Sequence, residues 1–306
     1  MASWDELRLE LDRQPNDNAK LAWLNQTLVA SLRSVAGLQS GANVIFYASG
    51  FLQKPAAPAW TTMMTTEDLN GLMAVLHGMD CTKPLLLVMH TPGGDPGAAN
   101  AMVPYLHAKF PLIESIVPTY AMSAGTMVCL GTDRIMMGKQ SQLGPIDAQL
   151  GWGNRTVSAG EVIDTFNRAS TDIANNNAKA HLWHPILQSM GPSLVSQARN
   201  ALDYGEQMVA GWLANRMFKD QAEPLKMAAS VAAHFNDTSV HKHHGRRIDR
   251  DQARALGVYI DELEQNQDLQ DAVLTTYHVA SLYFSVTKAV KFMANDAGKL
   301  WLKNLA

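Results

Sequence analysis

The chain has 306 residues, 47% hydrophobic and 17% charged, with a formal net charge of −3. That supplies ample core, and the dispersed Lys and Arg give no basic face of the kind nucleic-acid binders carry. Cys81 and Cys129 are the two cysteines and neither stands in a C-x-x-C pair, which argues against a disulfide framework or a thiolate metal site.

No apolar run approaches the roughly 18 residues of a membrane span. The N-terminal stretch MASWDELRLELDRQ is acidic and amphipathic, unlike a signal peptide, so a cytoplasmic location is expected. Leu7, Leu11, Leu21, Leu24, Leu28 and Leu32 predict helix over 4–36, broken at Pro15. NVIFY, from Asn43 to Tyr47, reads as a strand bounded by glycines. Residues 52–62 read as a loop, after which Thr66 is expected to cap a helix carrying Leu69, Leu72, Met73 and Leu76 on one face.

Leu85 to Met89 (LLLVM) is a continuous apolar strand, the kind buried on both faces of a parallel sheet. A helix over 98–107, a strand from Ser115, a helix through Leu130 and the strand DRIMM (Asp133 to Met137) follow. This alternation predicts an α/β core. Residues 158–235 read as helical, with breaks at Pro185 and at Gly191-Pro192. HKHHGRR (His241 to Arg247) reads as a basic turn, and IDRDQARALG as a capped helix ending at Gly257. The expected organisation is a helical segment over 1–40, an α/β core with the site over 41–157, and a helical region over 158–306.

Two stretches carry the chemistry: MHTPGG (89–94) and VPTYAMSAGTMVCLG (117–131). Ser123 falls at a strand-to-helix junction, where helical N–H groups lack internal partners and the potential is positive. Ala124 and Gly125 leave room for a substrate carbonyl, and Gly93-Gly94 ends a strand without side chains. Both segments fall at carboxyl ends of strands, where α/β sheets bind ligands. A Ser-Ala-Gly at a helix start is more often an N-cap, and a Pro-Gly-Gly a turn, so these residues by themselves leave both readings open.

LLLVMHTPGG followed by YAMSAGTMVCLGTDRIMMGKQSQLGPIDAQLG, together with GANVIFYASGFL, HLWHPILQSMGPSL and HHGRRIDRDQARALG, resembles the serine dehydrogenase proteinase family. That family belongs to the ClpP/crotonase superfamily and is related to signal peptide peptidase A-type serine proteases. The likeness runs from about Gly41 to about Leu274. It implies a ClpP/crotonase-like stacked ββα spiral with additional C-terminal helices, and self-association into homo-oligomers. It implies Ser123 as nucleophile, oxyanion donors at Gly93 and Ala124, and Gly94 keeping the strand end open.

The base is the open position. ClpP-type enzymes use a Ser-His-Asp triad, but no histidine lies between Ser123 and Lys179, so a triad requires a distant histidine to fold in. The membrane-protease relatives use a Ser-Lys dyad, which needs a lysine of lowered pKa. Lys179, entering an apolar helix, is preferred over Lys139 in a polar turn. His90 beside the oxyanion turn and Asp147 in LGPIDAQL are further candidates, Asp147 for orienting a base or binding a substrate amine.

His241, His243 and His244 form a cluster beside Arg246 and Arg247; a solvated turn is favoured over a metal site. Trp152, flanked by Gly151 and Gly153, is a possible substrate platform, whereas Trp183 and Trp212 read as core or interface. The expected function is a serine endopeptidase acting on peptide or protein substrates without cofactor or metal. A crotonase-like acyl-CoA enzyme and a catalytically silent peptide-binding module are the alternatives.

Overall fold

The computed structural model describes residues 3–152 and 155–305; Gly153 lies outside them. Two helices open the chain, α1 (Trp4–Asp12) and α2 (Asp17–Leu38). Ser3 and Glu6 form a capping box on α1, and Asn16 caps α2 directly after Pro15. Next come β1 (Asn43–Ser49), α3 (Ala59–Thr62), α4 (Asp68–Leu76), β2 (Leu85–His90), α5 (Pro96–Lys109), β3 (Ile113–Val117) and β4 (Tyr120–Ala121). The expected Thr66 cap is absent from α4: the Asp68 carboxylate instead reaches back to the Thr65 N–H at 2.9 Å.

The chain continues through α6 (Ala124–Leu130), β5 (Arg134–Met137), β6 (Gln142–Leu143) and a hairpin of β7 (Gln149–Trp152) and β8 (Arg155–Ser158). Helices α7 (Ala159–Asn175), α8 (Ala180–Met190), α9 (Leu194–Asn215), α10 (Pro224–Asn236) and α11 (Thr238–His241) follow. Pro185 does not break α8 as expected. Pro185 removes one helical N–H donor, and the residue four back, His181, is exposed. The end of the chain is β9 (Ile248–Asp249), α12 (Arg250–Ala255), β10 (Ile260–Glu262), α13 (Gln267–Val286), β11 (Ala289–Asn295) and β12 (Leu300–Asn304).

Seven strands form the main sheet in the order β10-β5-β3-β2-β1-β11-β12. The first five are parallel; β11 and β12 add antiparallel. The region 158–306, expected as helical, therefore also supplies three strands of this sheet. The strand AVKFMAN hides in the sequence because Lys291 interrupts its apolar run, yet all seven of its residues are buried.

Alternate residues of β1 pack into separate cores. Ile45 and Tyr47 join α4, α5 and α6, while Val44, Phe46 and Ala48 join α1, α2 and α13. Helices thus cover both sheet faces, as the unbroken apolar strands require.

After β3 and β5 the chain passes into a small second sheet, β4-β6-β9, and the segment after β2 touches it through the Thr91–Ala121 bridge. These strand–short-strand units, two of them followed by α5 and α6, are the stacked ββα arrangement that the resemblance implies. Their consequence is local: the ends of β2 and β3 are delivered side by side. No described helix is long and apolar enough to cross a membrane.

Candidate active site

The two quoted stretches meet. Thr91 N–H donates to Tyr120 O at 2.9 Å and Met122 N–H to Thr91 O at 3.1 Å. Gly93, at φ +88°, is so close to the serine that an added Cβ would lie 2.4 Å from Met122 O and 2.7 Å from Ser123 Cβ. Only glycine permits both that φ and that approach. Gly94, at φ +151°, is pressed equally hard against the Met64 backbone.

Ser123 itself has φ +51° and ψ −117°, outside the wells that residues with a Cβ favour. It sits at the N-cap of α6 without a side-chain capping bond, so its hydroxyl is not consumed by the helix. The Ala124 N–H opens α6, where no helical carbonyl precedes it. The Gly93 N–H is not free as expected: it donates to Thr91 Oγ1 at 3.1 Å, a threonine two residues back being well placed to accept.

Ser123 lines a cavity of about 840 Å³ together with Gly94, Asp147 and His244. Its remaining lining is largely apolar, with Met127, Ile146, Leu150 and Tyr204 among the contributors. The loop after β6 is held against the serine by several bonds. Thr126 Oγ1 donates to Ala121 O and accepts from Gly144 N–H, and Ile146 N–H donates to Phe235 O.

This places Asp147, 3% exposed, where its Oδ1 accepts from His244 Nδ1 at 2.7 Å. Its Oδ2 accepts from Gln149 Nε2 at 2.7 Å and Ser158 Oγ at 3.2 Å. A carboxylate can only accept, so Nδ1 carries a proton, and in the neutral imidazole Nε2 is the acceptor nitrogen.

Residues 50–180 match the family model of the ClpP-like SDH-type serine proteinases. Among curated proteins, the chain is 30% identical over 150 residues to the uncharacterized protein MJ0137 of Methanocaldococcus jannaschii, covering 47% of this chain and 49% of that protein. It is 28% identical over 112 residues to MJ1495 of the same organism, 37% of each chain. The chain thus spans at most about half the length of these relatives.

Among solved structures, the 1510-N membrane-bound stomatin-specific protease is similar at 14% identity and a TM-score of 0.40, over 69% of this chain and 79% of that one. ClpP1 from Listeria monocytogenes is similar at 11% identity and a TM-score of 0.39, over 81% and 99%.

Lys179 is not brought to the pocket. It ends a short 3₁₀ turn, half-exposed, with Nζ 2.6 Å from Asp172 Oδ1, and that bond holds the Asp172 carboxyl below its ordinary pKa. Lys139 is exposed, and its backbone N–H donates to Glu264. His90 is buried away from the pocket: Nδ1 is 2.8 Å from Thr119 Oγ1, and the ring packs on Phe51 and Tyr277. Burial pushes its pKa down to about 3. Trp152 turns from the pocket, its indole N–H donating to Ser189 O at 3.2 Å.

His244, expected in a solvated turn, is the residue that sequence reasoning misplaced. It lies far downstream of Ser123, beyond the segment the SDH-type proteinase family model covers. Arg246 and Arg247 beside it give the stretch the look of a surface loop. The one usable signal was the orphaned Asp147 in a loop expected near the serine, which asks for a partner.

Proposed function

We propose that the protein is a serine peptidase in which Ser123 attacks a peptide carbonyl, with His244 as general base and Asp147 orienting it. The observation that carries this reading is one cavity lined by a serine of strained backbone and by a buried Asp147 hydrogen-bonded to a partly exposed His244. A base acts from hydrogen-bond reach of the proton it takes, and catalytic contacts commonly tighten only when substrate binds. Lys179, held by Asp172, is therefore not retained as the base.

Attack at the carbonyl carbon moves the Ser123 proton to His244 Nε2 and charge onto the carbonyl oxygen. Ala124 N–H receives that oxyanion. The Gly93 N–H exchanges its neutral acceptor, Thr91 Oγ1, for the charged one, because charge-assisted bonds are stronger. His244 then returns the proton to the leaving amine, and water releases the acyl group by the same steps in reverse order. Exposed Leu182, Ile186 and Leu225 support self-association.

A fluorophosphonate probe tests the reading. We expect covalent label on Ser123, none on Ser123→Ala, and a labelling rate for His244→Ala reduced roughly 10²–10⁴-fold. Lys179→Ala should label at the wild-type rate. An unlabelled wild-type protein that acyl-CoA protects against heat would instead favour the acyl-CoA reading.

A further inference from the structure

One part of the pocket wall, Met63 to Thr65, belongs to no helix and to no strand longer than a single bridge. Its backbone is nonetheless tied on both sides. Toward the site, Met64 N–H donates to Gly93 O at 2.7 Å and Met64 O accepts from Asp95 N–H at 3.0 Å. The wall is thereby paired directly to the diglycine turn that packs on Ser123.

Away from the site, Met63 O accepts from Lys291 Nζ at 2.8 Å, and Thr65 N–H donates to Asp68 Oδ2 at 2.9 Å. Lys291 and Asp68 are themselves ion-paired at 2.6 Å, and both side chains are fully buried. Tyr47 OH donates to the same carboxylate at 2.7 Å.

Burying two charges carries a desolvation cost that an apolar pair of the same volume avoids. What the apolar pair cannot do is offer a donor to Met63 O and an acceptor to Thr65 N–H, the two backbone groups flanking Met64. We propose that Lys291 and Asp68 are positioning residues that hold the Met63–Thr65 wall, and through it the Gly93–Gly94 turn, in register with Ser123. The proposal rests on the reading of Ser123 as nucleophile. It assigns a role in the reaction to β11, which is far from the serine in sequence and lies outside the family segment.

Lys291→Met or Asp68→Asn alone leaves a buried charge unpaired and should lower Tm sharply. The double variant Lys291→Met/Asp68→Asn removes the mismatch and should melt close to wild type. In it we expect fluorophosphonate labelling of Ser123 to slow roughly tenfold or more, since small misplacements of a reacting centre are costly. KM for an extended peptide should rise while KM for a short acetyl ester, which does not reach the wall, stays the same. A smaller folded fraction cannot produce that split.

A folded double variant with wild-type labelling and wild-type peptide KM overturns the proposal. If the double variant does not fold, Lys291→Met alone, assayed well below its Tm, removes the donor to Met63 O and should show the same split. Unchanged values there are equally decisive against it. Wild-type protein left unlabelled at Ser123 defeats the serine-peptidase reading and this one together, whereas labelled wild type with unaffected variants defeats the positioning role alone.

Discussion

Ser123 holds φ +51° and ψ −117°, a conformation glycine adopts freely and serine does not. Such strain costs on the order of 1–3 kcal/mol and persists only where surrounding packing imposes it. Here the imposing neighbours are Gly93 on one side and Gly144 on the other; an added Cβ at Gly144 would lie 2.7 Å from Met122 Cε and 3.4 Å from Ser123 N. Ser123→Gly should therefore raise stability in urea unfolding by about 1 kcal/mol while abolishing probe labelling. Ser123→Ala should abolish labelling with stability unchanged. Equal stability of the glycine and wild-type proteins would mean that the backbone is not strained. The serine was legible in the sequence through its small neighbours and its place after an apolar strand; its strain was not, because nothing local to SAG requires a positive φ.

Helix α9 shows what an element adds to the site. It brings Ala201, Tyr204 and Gly205 to the pocket. Gly205 lies mid-helix, where glycine costs about 1 kcal/mol relative to alanine. A Cβ there would meet Met127 Cε at 3.6 Å, ordinary contact. Gly205→Ala should accordingly stabilise the protein by about that amount, whereas Gly205→Leu should fill the pocket floor. Peptide series carrying Ala, Leu or Phe before the scissile bond should show the leucine variant losing Phe most and Ala least; an unaltered profile would remove α9 from substrate choice. The helical character of 194–215 was readable from its apolar spacing. That one of its faces serves a pocket was not, since periodicity reports burial without saying against what.

At the scale of the whole molecule, buried neutral histidines set the response to acid. His90 titrates near 3 in the folded chain against an ordinary 6.5, and burial lowers His107 and His241 in the same direction. Between pH 3 and 6.5 the unfolded chain binds a proton at position 90 that the folded chain refuses, so stability rises with pH across that window and levels off above it. One such group gives a slope of about 1.4 kcal/mol per pH unit. Urea unfolding from pH 7 to pH 4 should show this loss, and His90→Gln should flatten it. A curve that stays level down to pH 5 would contradict the burial of these rings.

Taken alone, the sequence determined the parallel strands of the core, the serine, and the diglycine turn beside it, because apolar runs and small residues act over a few neighbours. Only the tertiary structure brought His244 to Asp147, paired β11 with β12, and set Lys291 and Asp68 behind the pocket wall. His244 and Lys291 look like surface residues in sequence because each is charged or polar among its neighbours. What sets them apart is a carboxylate brought from far along the chain, Asp147 for one and Asp68 for the other, and a partner of that kind exists only once the chain has folded.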